Sequence, residues 1–358
     1  MKPYPTYTNK QINIPYLLKI GNGKTQKIGK YLFDKDMNNI ALFTGYGIDE
    51  LLGDKLYGGL EIQNIKILHK EIIDDISIEK ITHTAFNLPP VIDAVVGIGG
   101  GKALDFAKYC AYLLKIPFIS VPTSTSNDGF CSPSSSLTVD GKRKSVKSGI
   151  PYGVVIDLDI IKGCPKIFLY SGVGDMVSKI TALWDWKEAF NKGFERFNDF
   201  ASLLAYNSLD LLFNKHSFNV ESPEFQRSLS NSLLVSGIAM EVAGTSRPAS
   251  GSEHLISHAL DSVCKKPKMH GIQVGVATYL CALLQKNENT EGVKTILSKT
   301  GFFEFAKGDT FAKKEFIEAL KIASGIKQDY YTILSEVDSF ERAVKFIETD
   351  GILKTIIK

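Results

Sequence analysis

Val95-Val96-Gly97-Ile98-Gly99-Gly100-Gly101-Lys102-Ala103-Leu104-Asp105 is the stretch whose reading decides the fold. The apolar run Ala94 to Val96 reads as the end of a buried strand, and four glycines in five residues follow it. Ala103 to Leu114 then reads as a helix, with Leu104, Ala107, Ala111 and Leu114 on one face. Strand, glycine turn and helix start, in that order, set bare backbone N–H groups at the positive end of a helix, where phosphate binds well. The spacing departs from the dinucleotide fingerprint G-x-G-x-x-G, because Lys102 stands where the third glycine belongs. The turn is therefore either a phosphate site of another kind or only a tight connection between strand and helix.

Working outward, β and α signals alternate through the first half. Ile40–Thr44, Ile62–Leu68, Ala94–Gly97, Pro117–Pro122 and Gly153–Leu158 read as strands separated by helical stretches, which implies a parallel sheet with crossover helices. Val139-Asp140-Gly141-Lys142 reads as a hairpin turn, since Asp-Gly favours positive φ. Beyond Pro165 strand signals nearly vanish. Val173–Phe190, Phe200–Phe213, Phe225–Ala243, His254–Val263 and Ile272–Gln285 show helical periodicity. The expected fold is an α/β domain over residues 1–165 followed by an all-α domain over 166–358, with the boundary near Lys162 to Tyr170.

Composition narrows the class. The 358 residues suffice for two substantial cores. Hydrophobic content of 44% and charged content of 23% are ordinary for a globular protein. A net charge of +3 argues for neither nucleic acid nor an anionic membrane as partner. No apolar run reaches the length of a membrane span. Met1-Lys2-Pro3-Tyr4-Pro5 lacks the apolar stretch of a secretory signal. Cys110, Cys131, Cys164, Cys264 and Cys281 form an odd set without close pairs, which reads as free thiols in a reducing cytoplasm.

Three further segments concentrate chemistry. Pro122-Thr123-Ser124-Thr125-Ser126-Asn127-Asp128-Gly129 begins where a strand ends, which is where open α/β sheets hold ligands. A solvated turn would have much the same composition. In Gly172-Val173-Gly174-Asp175 the acid reads equally as a ligand or as an N-terminal helix residue stabilised by the dipole. Gly251-Ser252-Glu253-His254-Leu255-Ile256-Ser257-His258 sets two histidines four apart on one helical face, and His270-Gly271 follows. Half of the chain's six histidines lie in this short span. Each alone is a routine helix histidine; together with a carboxylate from elsewhere they suit a divalent metal with three protein ligands and one open position. The basic run Lys142, Arg143, Lys144 and Lys147 is either a solvated edge or a contact for an anionic substrate.

In this order, Gly97-Ile98-Gly99-Gly100-Gly101-Lys102 with Asp105, Pro122-Thr123…Asp128-Gly129, Gly172-x-Gly174-Asp175 and His254…His270-Gly271 resemble the dehydroquinate synthase-like superfamily of metal-dependent (iron-type) alcohol dehydrogenases. The wording Pro-Thr-x-x-Ser-Asn-Asp-Gly, Gly-Val-Gly-Asp-x-Val-Ser-Lys and Ser-Glu-His-x-x-Ser-His-Ala-Leu-Asp resembles its glycerol-1-phosphate dehydrogenase family, to which glycerol dehydrogenases are neighbours. The resemblance implies a dinucleotide-binding N-terminal domain, a helical C-terminal domain and an active site in the cleft. It implies a divalent metal, usually zinc with nickel or iron(II) as alternatives, held by Asp175, His254 and His270. His258 then becomes a second histidine near the substrate or hydride path, and Asp128 the acid near the substrate hydroxyls. Gly99, Gly100, Gly101, Lys102 and Asp105 belong to the pyrophosphate turn of NAD(P)H, while Thr123, Ser124 and Ser126 line the nicotinamide side. A small-molecule substrate and a homo-oligomer are also implied.

The implied reaction is NAD(P)H-dependent reduction of dihydroxyacetone phosphate to sn-glycerol 1-phosphate. The metal acts as Lewis acid on the carbonyl, and a proton arrives from metal-bound water or through His258. The first strand ends Phe43-Thr44-Gly45-Tyr46-Gly47, without the acid that NAD-selective enzymes set on the ribose 2′-hydroxyl, so NADPH is expected to serve as well as NADH. The substrate phosphate calls for Lys or Arg, with Lys142, Arg143, Lys144, Lys147 and Arg247 as candidates. Two other readings stand beside this one. A neutral cleft would favour glycerol dehydrogenase, and a dehydroquinate synthase-type cyclase would use the same groups without net redox.

Overall fold

The alternation in the first half resolves into a parallel sheet. A computed structural model describes residues 12–213 and 217–358; Met1–Pro5, read above for a secretory signal, lies outside them. The strands are β1 (Leu17–Gly21), β2 (Asn39–Thr44), β3 (Lys66–Ile72), β4 (Ala94–Gly99), β5 (Phe118–Pro122), the hairpin pair β6 (Ser134–Val139) and β7 (Lys142–Lys147), and β8 (Gly153–Asp157). Six of them pair in parallel in the order β1-β8-β5-β4-β2-β3, and β6 and β7 pair antiparallel on their own. Asp140 and Gly141 both take positive φ, 52° and 72°, as the Asp-Gly turn requires.

Apolar residues cover both faces of the sheet, as a doubly wound parallel sheet demands. On one face Ile40, Leu42, Val96 and Ile98 pack with Leu32, Leu52 and Leu56 of the Ile28–Phe33 and Ile48–Glu61 helices. On the other, Ala41, Phe43, Val95 and Val154 pack with Ile81, Phe106 and Ala107 of the Ile78–Asn87 and Gly101–Leu114 helices. The helices leaving β2 and β4 thus cross to opposite faces although the two strands are neighbours. A crevice opens at such a switch, beyond the carboxyl ends of the strands.

Two strand expectations shift. The first half of the apolar run at Ile62–Leu68 is the turn that follows the Ile48–Glu61 helix. Asn64 adopts φ 55°, the Ile65 N–H returns to the Leu60 carbonyl, and β3 starts only at Lys66. The edge strand β1 went unread, because its five residues are only partly buried and give a weak apolar signal.

After Asp157 the regular elements among the described residues are helical, apart from an isolated bridge between Phe311 and Ile357. No helix among them is long and apolar enough to cross a membrane. The periodicity at Val173–Phe190 spans two helices, Lys166–Val177 and Lys179–Asn191, which meet at Ser178. The apolar core of this half is continuous with the second sheet face: Phe106 and Val154 share one cluster with Val173, Leu229, Leu280 and Phe302.

Candidate functional site

Two helices cross almost backbone to backbone at the centre of the helical half. A Cβ on Gly174 of the Lys166–Val177 helix would lie 2.0 Å from the Gly271 carbonyl oxygen of the His270–Gln285 helix. A Cβ on Gly271 would lie 1.9 Å from that of Ser171. Only glycine permits this approach, and it brings Asp175 beside His270. The Ser252–Val263 helix supplies His254. Ligand atoms of Asp175, His254 and His270 all lie within 4.8 Å of one another. His254 Nε2 is 3.5 Å and His270 Nε2 3.9 Å from Asp175 Oδ1. Asp175 is buried and lies near the C-terminal end of its helix, so it does not act as an N-terminal helix acid.

The surrounding bonds fit a divalent metal. His254 Nδ1 is 2.9 Å from Glu253 Oε1, which leaves Nε2 to face Asp175. Glu253 is fully buried and accepts in addition from the Gly251 N–H and the Thr181 hydroxyl. His270 Nδ1 lies 3.2 Å from Ser257 Oγ, whose own proton goes to Gln273 Oε1. Both imidazoles therefore offer Nε2, in the pattern by which outer hydrogen bonds orient metal-binding histidines. Burial, then the neighbouring His254, holds His270 down at about 4, so it stands neutral and ready to ligate at pH 7. Burial opposes protonation of His254, but Asp175 and Glu253 outweigh it and raise its pKa. Glu253→Gln should weaken metal binding by about 10- to 100-fold. Competition with a chelating dye measures this, and a change below threefold would remove Glu253 from that role.

Lys179 joins the metal group to Asp128 and was not singled out from the sequence. Its ammonium is fully buried, 3.0 Å from Asp128 Oδ2, 3.3 Å from Asp175 Oδ2 and 2.7 Å from the Asp175 carbonyl oxygen. The Asp128 N–H also donates to Asp175 Oδ2, and the Ser236 hydroxyl to Asp128 Oδ2. Oδ2 of Asp175 is thus occupied by protein donors, and Oδ1 faces the histidines. Burial works against ionisation of Asp175, but Lys179 and the two histidines hold its carboxyl well below the usual range. Burial and the adjacent Asp175 push Asp128 up, with Lys179 opposing them. His258 lies outside the trio, its ring 6.1 Å from that of His270. Burial and the neighbouring histidines and cations keep it neutral.

The glycine turn lies at the crevice. Gly99 has φ 148°, and a Cβ there would meet the Gly45 nitrogen at 3.0 Å. Around Gly100 and Gly101 a Cβ would meet nothing within 4 Å, and the Gly101–Leu114 helix has no side-chain cap and no acid in its first turn. Open space before uncapped N–H groups fits a phosphate group. A cavity of about 520 Å³ extends from here, lined by Gly100, Thr123, Ser124, Tyr46, Lys55 and Asp157 among others. Lys102 is exposed at the helix start. Ser126 accepts at its carbonyl from Ser171. Asp105 does not line the cavity: it lies 3.6 Å from Lys108 and is pushed up by burial, with Lys108 opposing. Lys108, also buried, binds the carbonyl oxygens of Gly129, Ser132 and Ser134 and so pins the segment after Asp128. The loop between cavity and metal group touches both. The Thr123 N–H donates to the Gly99 carbonyl at 3.1 Å, and the Asp128 N–H to Asp175 at 3.0 Å.

Of the cations considered for an anionic substrate, Arg247 is internally committed. It binds Glu195 at 2.6 and 2.7 Å and the Tyr331 carbonyl at 2.7 Å, and stacks on Tyr330. Lys142 and Lys144 are exposed on β7, and Lys144 pairs with Asp140.

A family model described as iron-containing alcohol dehydrogenase matches residues 19–165. A glycerol-1-phosphate dehydrogenase (NAD(P)+) of Metallosphaera sedula is 34% identical over 336 residues, covering 91% of this chain and 93% of its own length. One from Nitrosopumilus maritimus is 33% identical over 340 residues, covering 93% and 94%. Among solved structures, glycerol dehydrogenase from Schizosaccharomyces pombe superposes with a TM-score of 0.76 at 18% identity, over 96% of this chain and 93% of that one, which establishes the shared fold.

Proposed function

Because the chain belongs to the glycerol-1-phosphate dehydrogenase family of iron-type alcohol dehydrogenases, we propose that it reduces dihydroxyacetone phosphate with NAD(P)H to sn-glycerol 1-phosphate. The observation that carries the reading is the convergence of one carboxylate and two Nε2 atoms in reach of the loop that also borders the glycine turn. Asp175, His254 and His270 hold the divalent ion, and Gly99, Gly100, Gly101 and Lys102 receive the pyrophosphate, with Thr123, Ser124 and Ser126 toward the nicotinamide. When bound, the ion supplies a Lewis acid and the coenzyme a hydride.

The protein's part is position and charge. Asp128, fixed by Lys179 and Ser236, presents its carboxylate to the hydroxyl of the substrate. Burial and the neighbouring histidines hold His258 neutral, so it would act as a relay, giving its N–H proton to the oxygen that becomes the product hydroxyl while its other ring nitrogen takes one from water. Two features beside the turn after β2 support a broad coenzyme choice: Asp49 is engaged by Lys70 and Tyr57, and Lys55 lines the cavity. The five cysteines are free thiols, in keeping with a cytoplasmic protein.

An assay of NADH and NADPH oxidation, with dihydroxyacetone phosphate against dihydroxyacetone and with or without chelator, tests the reading. Turnover of the phosphorylated ketone with both coenzymes, abolished by chelator, is expected. Activity confined to the unphosphorylated ketone defeats the substrate, and activity indifferent to metal stripping defeats the role of the trio.

A further inference from the structure

The loop beside the glycine turn and the helix that bears His270 meet at one buried hydroxyl, that of Ser171. Ser171 belongs to the Lys166–Val177 helix, one turn before Asp175, so the two side chains share a helical face. It is fully buried. A serine inside a helix commonly returns its hydroxyl to a carbonyl of its own preceding turn. Ser171 instead donates out of its helix, to the Ser126 carbonyl at 2.8 Å. The same oxygen accepts the Gly271 N–H at 3.1 Å.

Gly271 is the second residue of the His270–Gln285 helix, and the N–H groups of a first turn have no partner within their own helix. Met269, at the cap position, gives no side-chain bond. Ser171 therefore caps this helix from outside, one residue from His270. The packing around it leaves little slack. A Cβ on Gly172 would lie 2.0 Å from the Thr125 carbonyl oxygen, and one on Gly271 would lie 2.6 Å from Ser171 Oγ. The bond from the Asp128 N–H to Asp175 Oδ2, at 3.0 Å, fixes the far end of the loop to the same helix as Ser171.

We propose that Ser171 is a positioning residue for hydride transfer: its hydroxyl sets the spacing between Ser126, on the coenzyme side, and His270, on the side of the ketone. This rests on the reading of Ser126 as facing the nicotinamide and of His270 as one of the metal-holding trio. In the step concerned, the C4–H bond of the dihydronicotinamide breaks and its hydrogen and electron pair pass to the ketone carbon. The ketone oxygen takes a proton, leaving the oxidised coenzyme and an alcohol. Such a step needs the reacting atoms about 3–3.5 Å apart, and about 1 Å of misplacement can cost a hundredfold in rate. Ser171 acts on that distance through the two backbone groups it joins. Without its hydroxyl the Ser126 carbonyl and the Gly271 N–H both lose their partner, and the loop and the helix settle at a different spacing.

The test compares Ser171→Ala and Ser171→Cys with the wild type and with a control, Ser208→Ala, whose buried hydroxyl turns back to the Ala205 carbonyl of its own helix. Single-turnover reduction of dihydroxyacetone phosphate by NADH reads hydride transfer, and NADH deuterated at the transferred position gives its isotope effect. Fluorescence titration reads NADH affinity. Amide hydrogen exchange at Gly271 in the metal-free protein reads the bond with no turnover at all. Ser171→Ala should slow hydride transfer about tenfold, raise the isotope effect and leave the NADH dissociation constant within about twofold. It should also lose protection at the Gly271 amide. Ser171→Cys fills the space with a weak donor and acceptor and should resemble the alanine variant. Ser208→Ala should resemble the wild type. The same readings on Ser171→Cys decide the matter if the alanine variant does not fold.

An unchanged rate and isotope effect in Ser171→Ala overturns the proposal and leaves the functional reading standing. Full recovery in Ser171→Cys overturns it too, by reducing the residue to a filler of space. A loss of NADH affinity as large as the loss of rate overturns it as general loosening, and unchanged exchange at Gly271 overturns the bond itself. If the wild type transfers no hydride from NADH or NADPH to either ketone, the functional reading falls and the positioning role falls with it.

Discussion

Asp175→Asn is expected to cut kcat/KM for dihydroxyacetone phosphate by about a thousandfold or more. Asparagine keeps the size of the side chain but loses the charge that, with two imidazole nitrogens, would hold a divalent ion. A Lewis acid contributes several kcal/mol to stabilising a developing alkoxide, and each 1.36 kcal/mol is tenfold in rate. The amide oxygen can still accept from the Asp128 N–H, so the loop and the fold persist. Steady-state kinetics on metal-replete protein, with metal content by mass spectrometry and circular dichroism as a fold control, measure the effect. Retention of more than a tenth of wild-type turnover would remove Asp175 from the ligand set.

Lys179→Met acts on stability before chemistry. The ammonium is the cation within ion-pair distance of both Asp128 and Asp175, and it is fully buried. Burial alone would discharge it; the two carboxylates more than offset that and raise its pKa. Removing one partner of a buried charge group leaves the others uncompensated, at about 3–5 kcal/mol. Urea unfolding of the metal-free protein should register a loss of that size. Adding Asp128→Asn to the variant should restore part of it, since one stranded carboxylate then becomes neutral. A loss below about 1 kcal/mol would mean that solvent reaches the group far more freely than its packing indicates.

Local patterns made the first half legible. Strand, glycine turn and helix around Gly99 follow from residues adjacent in sequence, as does the Asp140-Gly141 hairpin. The grouping of Asp175, His254 and His270 became visible only through the order of several motifs, because the ligands come from three helices. The glycines before Asp175 look like helix breakers, which hid that the helix begins at Lys166. Gly174 serves the contact with Gly271, about a hundred residues away, and Gly172 the contact with the Thr125 carbonyl, and no local pattern announces either. Lys179 lay inside a quoted motif, yet its role depends on Asp128, far off in the chain. Asp105 shows the opposite case, a residue with a strong motif position whose side chain turns toward Lys108.

The apolar cluster that joins Phe106 and Val154 of the sheet to Val173, Leu229 and Leu280 of the helices has a thermodynamic consequence. A chain with two separate cores can melt in two steps, and a ligand on one part then protects that part alone. Among the described residues the two halves share this one apolar cluster, so parting them would expose it on both sides. A ligand bound at the glycine turn and one bound by Asp175, His254 and His270 would therefore draw on the same unfolding equilibrium, and each would raise the resistance of the whole chain to heat.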